Sequence, residues 1–188
     1  MISFRFSAFF LFLWAFIAQV SSLPTPSITL QTYSDKSYNY IGQQTVTKGT
    51  VPSDDDMKEY ATLAYHQMIS VNQHEGSRNV PLTMSALYSP AHSTIIFASG
   101  VKDAGKKTSV AVSPVYDEAY SHRTYGNCAE MAAIARATTK NVPVNGVIST
   151  YGMRASGGEP VGLNPCRDET DFYGCSTYLK YYDIRATW

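Results

Sequence analysis

The chain has 188 residues, 44% of them apolar and 13% aromatic, with 15 basic side chains set against 15 acidic ones. That composition excludes a disordered or low-complexity polymer and fits one packed domain. A formal net charge of zero leaves no basic footprint for tight duplex binding, and only Lys102, Lys106, Lys107 and Arg123 offer material for a local basic patch.

The first segment, residues 1–22, reads MISFRFSAFFLFLWAFIAQVSS. It has the basic Arg5, an apolar run of about a dozen residues and then small residues, the three-part pattern of a secretory signal peptide, with cleavage expected before Leu23. The run falls short of the roughly 20 residues a bilayer crossing needs, and no later segment is apolar enough. A secreted mature chain in an oxidising compartment is therefore expected, without membrane attachment. Cleavage would also remove Arg5 and leave the chain neutral or slightly acidic.

Residues 23–52 are rich in Ser, Thr, Tyr and Gln and have no helical period, so they read as an extended N-terminal arm with one strand at Ile28 to Thr32. The folded domain is expected over 53–188. It opens with a helix: Ser53 is a plausible N-cap, Asp54, Asp55 and Asp56 suit the positive end of the helix dipole, and Met57, Tyr60, Ala61, Ala64, Met68 and Val71 recur every three or four residues. Two β-rich runs follow, Thr83 to Tyr88 and Thr94 to Ser99, and the Pro- and Ser-containing SPAHS between them predicts a hairpin. His92 in that turn reads as a solvated polar residue. The segment GVKDAGKKT, 100–108, has the glycine and lysine spacing of a phosphate loop, but Lys107 stands where a Ser or Thr must hold magnesium, which excludes a nucleotide hydrolase of that type.

The next run of helix formers starts at GNCAEMAAIARA, 126–137. Residues two apart do not share a face of a regular helix, so Cys128 and Glu130 can serve one small site only if the helix begins there. With Asn127 as N-cap, Cys128 becomes the first helical residue, where the dipole favours its thiolate. The same spacing, Asn127 to Glu130, is also that of a capping box, in which Glu130 has no chemical role. After this helix, predicted to end near Thr139, come a strand in VNGVISTYG and then NPCRDETDFYGC, 164–175. The three cysteines, Cys128, Cys166 and Cys175, are an odd number for a secreted chain: either one thiol stays free or all three serve something other than disulfides.

The order helix, hairpin, helix carrying Cys-x-Glu, strand, and Pro-Cys with a second cysteine close behind resembles the zinc-dependent cytidine deaminase superfamily. CAEMAAI is similar to the Cys-Ala-Glu stretch of its three-cysteine members, and MSALYSPAHSTIIFASGV to the hairpin before it. The resemblance spans about Ser53 to Tyr182. It implies an α/β fold, a three-layer α-β-α sandwich with a mixed central sheet, shortened at its C-terminal end. It further implies zinc held by Cys128, Cys166 and Cys175, with Glu130 as the catalytic proton carrier, and Ala129 and Pro165 lining the pocket. The aromatic residues Tyr125, Tyr151, Phe172 and Tyr173 flank the motifs, and Tyr125 and Phe172 are the candidates to stack on a base. The implied function is a secreted zinc-dependent deaminase-like hydrolase acting on a nucleobase, nucleoside or nucleic acid, a toxin or effector by its export. Its partner would be a nucleobase-containing small molecule or single-stranded nucleic acid, and relatives that complete each other's sites in tetramers make a homo-oligomer an implied state.

The chain departs from the family pattern in four places. Eight residues rather than two separate Cys166 from Cys175, a spacing that equally suits a disulfide and an inactive, binding-only fold. Met131 replaces the arginine that offsets the charge of three thiolates, and Arg167, with Arg123 second, is the substitute expected here. No ribose-binding Asn-x-Glu ends the hairpin. Only STYLKYYDIRATW follows Cys175, enough for one more helix or strand, and the N-terminal arm is a conceivable source of a missing strand.

Overall fold

The computed structural model describes residues 23–74, 79–116, 122 and 124–188. The signal-peptide reading, on 1–22, and Arg123 lie outside the described residues. The described elements in chain order are β1 (Ile28–Thr32), β2 (Tyr38–Thr45), α1 (Asp54–His74), β3 (Thr83–Ser89), β4 (Thr94–Ser99), α2 (Ala129–Thr139), β5 (Gly146–Gly152), β6 (Val161–Gly162), α3 (Cys175–Tyr181) and β7 (Ile184–Thr187). The strands form one open seven-stranded sheet in the order β1-β2-β4-β3-β5. The far edge of β5 is shared: β7 pairs in parallel along Gly146 to Ser149, and β6 pairs antiparallel at Tyr151 and Gly152. Every other pairing is antiparallel, so the mixed character of the sheet rests on β7 alone.

Alternation along the strands divides the interior in two. Tyr38, Tyr40, Met84, Ala86, Tyr88, Ile95 and Phe97 face α1, whose Met57, Tyr60, Ala61, Ala64, Tyr65 and Met68 are buried against them. Leu87, Ile96, Ala98 and Ile148 face the opposite way and pack on α2 and α3. Helices therefore cover both faces of the sheet. The second layer can approach closely because α2 offers small residues, Ala132, Ala133, Ala135 and Ala137, with Met131 and Ile134 filling the gaps between them. α1 starts as its sequence predicts: the Ser53 hydroxyl accepts a hydrogen bond from the Asp56 amide at 3.1 Å, and the Asp56 carboxylate accepts one from the Ser53 amide at 2.8 Å.

The segment read as an arm enters the sheet. β2 lies between β1 and β4, with Tyr38, Asn39, Tyr40 and Ile41 all buried. Its polar composition disguises this because tyrosine brings an apolar ring and a hydroxyl that finds a partner. The Tyr40 hydroxyl donates to Asn72 of α1 at 2.7 Å, and that of Tyr38 to the Asn79 carbonyl at 2.8 Å. The end of the chain likewise supplies both a helix and a strand, α3 and β7, where one element is expected from the sequence.

Replacing Tyr40 by Phe leaves the buried amide oxygen of Asn72 without its donor. It is expected to cost about 1–3 kcal/mol of unfolding free energy, with an unchanged denaturant slope. An arm lying outside the core would show no loss in the same urea titration.

Candidate metal centre

Four side chains from separate parts of the chain meet beneath the sheet face that carries α2. Cys128 is the N-cap of α2, in extended backbone with φ −76° and ψ 159°. The helix thus begins one residue later than predicted. Asn127 does not cap it: its side chain accepts from the Ser109 amide at 3.1 Å and donates to the Lys107 carbonyl at 2.9 Å, tying the 100–116 loop to the site. Cys175 is the first residue of α3 and is fully buried. Cys166 reaches back to it, and its sulfur accepts the Cys175 amide hydrogen at 3.0 Å.

The eight residues between these two cysteines loop out, so their sulfurs converge despite the long spacing. The Asp168 carboxylate closes the loop, accepting from the Gly174 amide at 2.7 Å and from the Thr177 hydroxyl at 2.9 and 2.8 Å. Gly174 is required by space: a Cβ there would overlap the carbonyls of Cys166 and Arg167. All three cysteines are free, so the disulfide alternative for Cys166 and Cys175 is not what the structure adopts.

The fourth side chain, His122, is not among the residues the motifs point to. Its Nε2 lies 3.9 Å from the sulfur of Cys128, 3.6 Å from that of Cys166 and 3.4 Å from that of Cys175. The four potential ligand atoms lie within 4.8 Å of one another. A histidine six residues before a cysteine matches no ligand spacing of a regular element, and only the need for a fourth donor beside three thiols points to it.

The electrostatics show what the cluster lacks. Hydrogen bonds from Cys128 and then Cys175 pull the Cys166 thiol far below its ordinary range. Cys128 is pushed well up, first by its hydrogen bond with Cys166 and then by burial. Cys175 is pushed well up by its bonds with Cys128 and Cys166 and by burial. Three sulfurs this close cannot all ionise without a cation among them, and a coordinated divalent ion would deprotonate each. Three thiols and an imidazole at these separations fit zinc, which takes soft sulfur and nitrogen donors in a tetrahedron.

Glu130 lies beside the cluster, and its carboxylate accepts a hydrogen bond from its own backbone amide in the first turn of α2 rather than from that of Asn127. It is 6% exposed, accepts from the Thr150 hydroxyl at 3.3 Å, and has its other oxygen 3.6 Å from the Cys175 sulfur. Thr150 is steadied from β3 by Ser85, 2.7 Å away. Burial, then the nearby Cys166 charge, raises the Glu130 carboxyl above its ordinary range. A cavity of about 630 Å3 opens over these groups, with Glu130, Cys128, Cys166, Tyr125, Asn127 and Arg154 in its wall.

Other residues expected at the site stand elsewhere. Ala129 is fully buried, outside the cavity wall. Pro165 and Arg167 line a second cavity of about 330 Å3 together with Lys180 and Trp188, so Arg167 does not face the thiols. Phe172 is 44% exposed on the outer loop. Tyr151 packs edge-on against Tyr65 of α1, with ring centres 5.5 Å apart. Among known proteins, no family model, no curated protein and no solved structure matches the chain.

Two substitutions test the loop as a ligand-positioning device. Gly174→Ala and Asp168→Asn are each expected to weaken zinc retention about 10- to 100-fold in chelator competition, as outer partners of metal ligands do. The Asp168 carboxyl is held below its ordinary range by the Gly174 amide and the Thr177 hydroxyl. Its contribution is therefore complete at neutral pH and is lost as pH falls through that lowered value. The difference between wild type and Asp168→Asn should shrink in acid and not in base.

Proposed function

We propose that this chain is a secreted zinc-dependent hydrolase of the cytidine deaminase type. The observation that carries the reading is Glu130: a buried carboxyl outside the four potential ligands, in contact with one of them and open to a cavity. The element order supports it too, since a hairpin leads to a helix starting at Cys-x-Glu and a following strand leads to the Cys166 and Cys175 pair. In the deaminases the glutamate is likewise not a ligand.

Cys128, Cys166 and Cys175 would hold zinc, with His122 within reach. Bound zinc supplies the Lewis acidity that makes a water nucleophilic near neutral pH. The chain's own groups do the rest. Glu130 would take one proton from the attacking water and deliver it to a ring nitrogen, then take the second from the newly formed hydroxyl and deliver it to the departing amine; burial, which raises its carboxyl above the ordinary range, suits it to carry a proton. Thr150 fixes the carboxyl orientation, and Tyr125, 39% exposed in the cavity wall, offers a face for a flat base. The cavity exceeds the volume of a base alone, so a nucleoside, a nucleotide or a nucleotide within a single strand would fit. With export directed by residues 1–22, the protein would act outside its own cell, as a toxin or effector.

One observation favours a second reading. With His122 the donor set becomes Cys3His, the composition of closed structural zinc sites. The same fold would then be a catalytically silent, secreted binding protein whose zinc only holds the loops.

The readings separate on the mature protein. Metal analysis is expected to return one zinc per chain, and ammonia release should appear with at least one of the cytosine or adenine bases, nucleosides, nucleotides or single strands. Glu130→Ala should lower that rate about 10²- to 10⁴-fold while keeping its zinc. A zinc-loaded wild type that releases no ammonia from any of them would leave the binding reading.

A further inference from the structure

We propose that the loop 100–105, together with Lys102 and Arg154, is an anion subsite of the large cavity, and that it takes a phosphate carried by the substrate. The substrate is then a nucleotide, free or within a strand, and not a nucleoside or a free base. The subsite stands on the loop itself; its assignment to a substrate rests on the deaminase reading above.

The loop belongs to GVKDAGKKT, the segment with the glycine and lysine spacing of a phosphate loop. Lys107 in the place of a magnesium ligand excludes nucleotide hydrolysis of that type, but not the holding of a phosphate by amides and a cation. All six residues from Gly100 to Gly105 lie in the wall of the cavity that exposes Glu130. The segment is pinned at both ends. The Val101 amide donates to the Asn127 carbonyl at 3.0 Å, and Lys102 exchanges backbone hydrogen bonds of 3.0 and 2.9 Å with Tyr38 of β2. At the other end the Asn127 side chain holds the Lys107 carbonyl and the Ser109 amide. Between these anchors the amides of Asp103, Ala104, Gly105 and Lys106 donate to no acceptor among the described residues. Asp103, with φ 61°, and Gly105, with φ 66°, are left-handed on either side of Ala104. Such alternation can turn successive amides toward one side, forming the concavity in which backbone donors hold anions.

Charge points the same way. Lys102 is half-buried in the wall and Arg154 exposed in it, and neither has an ion-pair partner: the ion pairs among the described residues join Lys58 to Asp55 and Arg185 to Asp54. Asp103, the acidic residue of the wall besides Glu130, is exposed and bridges to neither cation. A lysine drawn half out of water without a counter-charge is unusual, and arginine beside it matches the oxygens of a phosphate. Register brings the two together. Met84 of β3 pairs with Ser99 on one side, and Thr83 pairs with Gly152 on the other. The loops after β4 and β5 therefore leave the same end of the sheet two strand spacings apart, about 10 Å, which two long side chains can close on one phosphate. The remaining volume holds the sugar, with the base against Tyr125.

The test is titration calorimetry on the mature protein with cytidine and adenosine, their 5′-monophosphates, and dinucleotides that join the same bases through a 5′ phosphodiester. A phosphate-bearing compound should bind about 10- to 100-fold more tightly than its nucleoside, with a gap that narrows as salt is added. A gain with the monophosphate alone identifies a free nucleotide, and a gain with the dinucleotide as well identifies a strand. Lys102→Ala and Arg154→Ala should each erase most of the ratio between nucleotide and nucleoside affinity, while Lys107→Ala, outside the wall, should not. A nucleoside bound as tightly as its phosphate, a gain that survives both substitutions, or no binding of any of these compounds overturns the proposal. Ammonia release is scored separately. Phosphate-dependent binding without ammonia removes the deaminase reading and leaves the subsite; ammonia from nucleosides and nucleotides that bind equally removes the subsite and leaves the reading.

Discussion

The structure turns on a limit to how much negative charge one buried point can hold. Three thiols and a carboxyl converge there, and hydrogen bonds from Cys128 and Cys175 pull the Cys166 thiol toward its ionised form. Cys128, Cys175 and Glu130 are each pushed toward their protonated forms. Gathering four acidic groups, with Cys175 and Glu130 buried and Cys128 and Cys166 half-buried, serves no packing purpose that alanine or valine would not serve better. A divalent ion changes the balance at once, converting repulsion among thiolates into shared coordination.

The scaffold is arranged around that point. Cys128 sits at the start of α2, where unpaired amides favour negative charge. α2 can press its start into the sheet because its buried face is mostly alanine. Met131 in the same helix is fully buried in the core between α2 and the sheet. A cation at that position would itself need a buried counter-charge, so the arginine that offsets thiolate charge in the resembled family has no room here. Nor does Arg167 replace it, because its loop turns outward to the smaller cavity.

Much of this was legible in the sequence where local chemistry and tertiary structure agree. The hairpin, the cap of α1 and the strand before the Cys166 segment follow from turn residues, capping residues and periodicity. β2 was hidden because Tyr38, Asn39, Tyr40, Gln43 and Gln44 look like loop composition, while its burial depends on hydroxyl partners from α1 and from Asn79. Asn127 is deceptive for a similar reason. It has the chemistry of a cap, but a tertiary partner, the 100–116 loop, claims both ends of its amide. The long Cys166 to Cys175 spacing was a topological matter: whether two sulfurs meet depends on Asp168 and Gly174 closing the loop, which counting residues does not reveal. His122 is the extreme case, since its role exists only once three other segments have assembled around it.

Glu130 is the feature of this site that a purely structural metal cluster does not explain. A closed shell of three thiolates and an imidazole satisfies zinc completely and has no need of a carboxyl 3.6 Å from one of its sulfurs. Keeping that carboxyl buried, with the Thr150 hydroxyl, the Cys175 thiol and its own amide as donors, costs free energy that a leucine would not. Thr150 and Ser85, on neighbouring strands, are committed to orienting it, and the cavity exposes it together with two of the ligands. A fourth donor and a retained carboxyl thus argue in opposite directions, the one for a closed shell and the other for chemistry beside it.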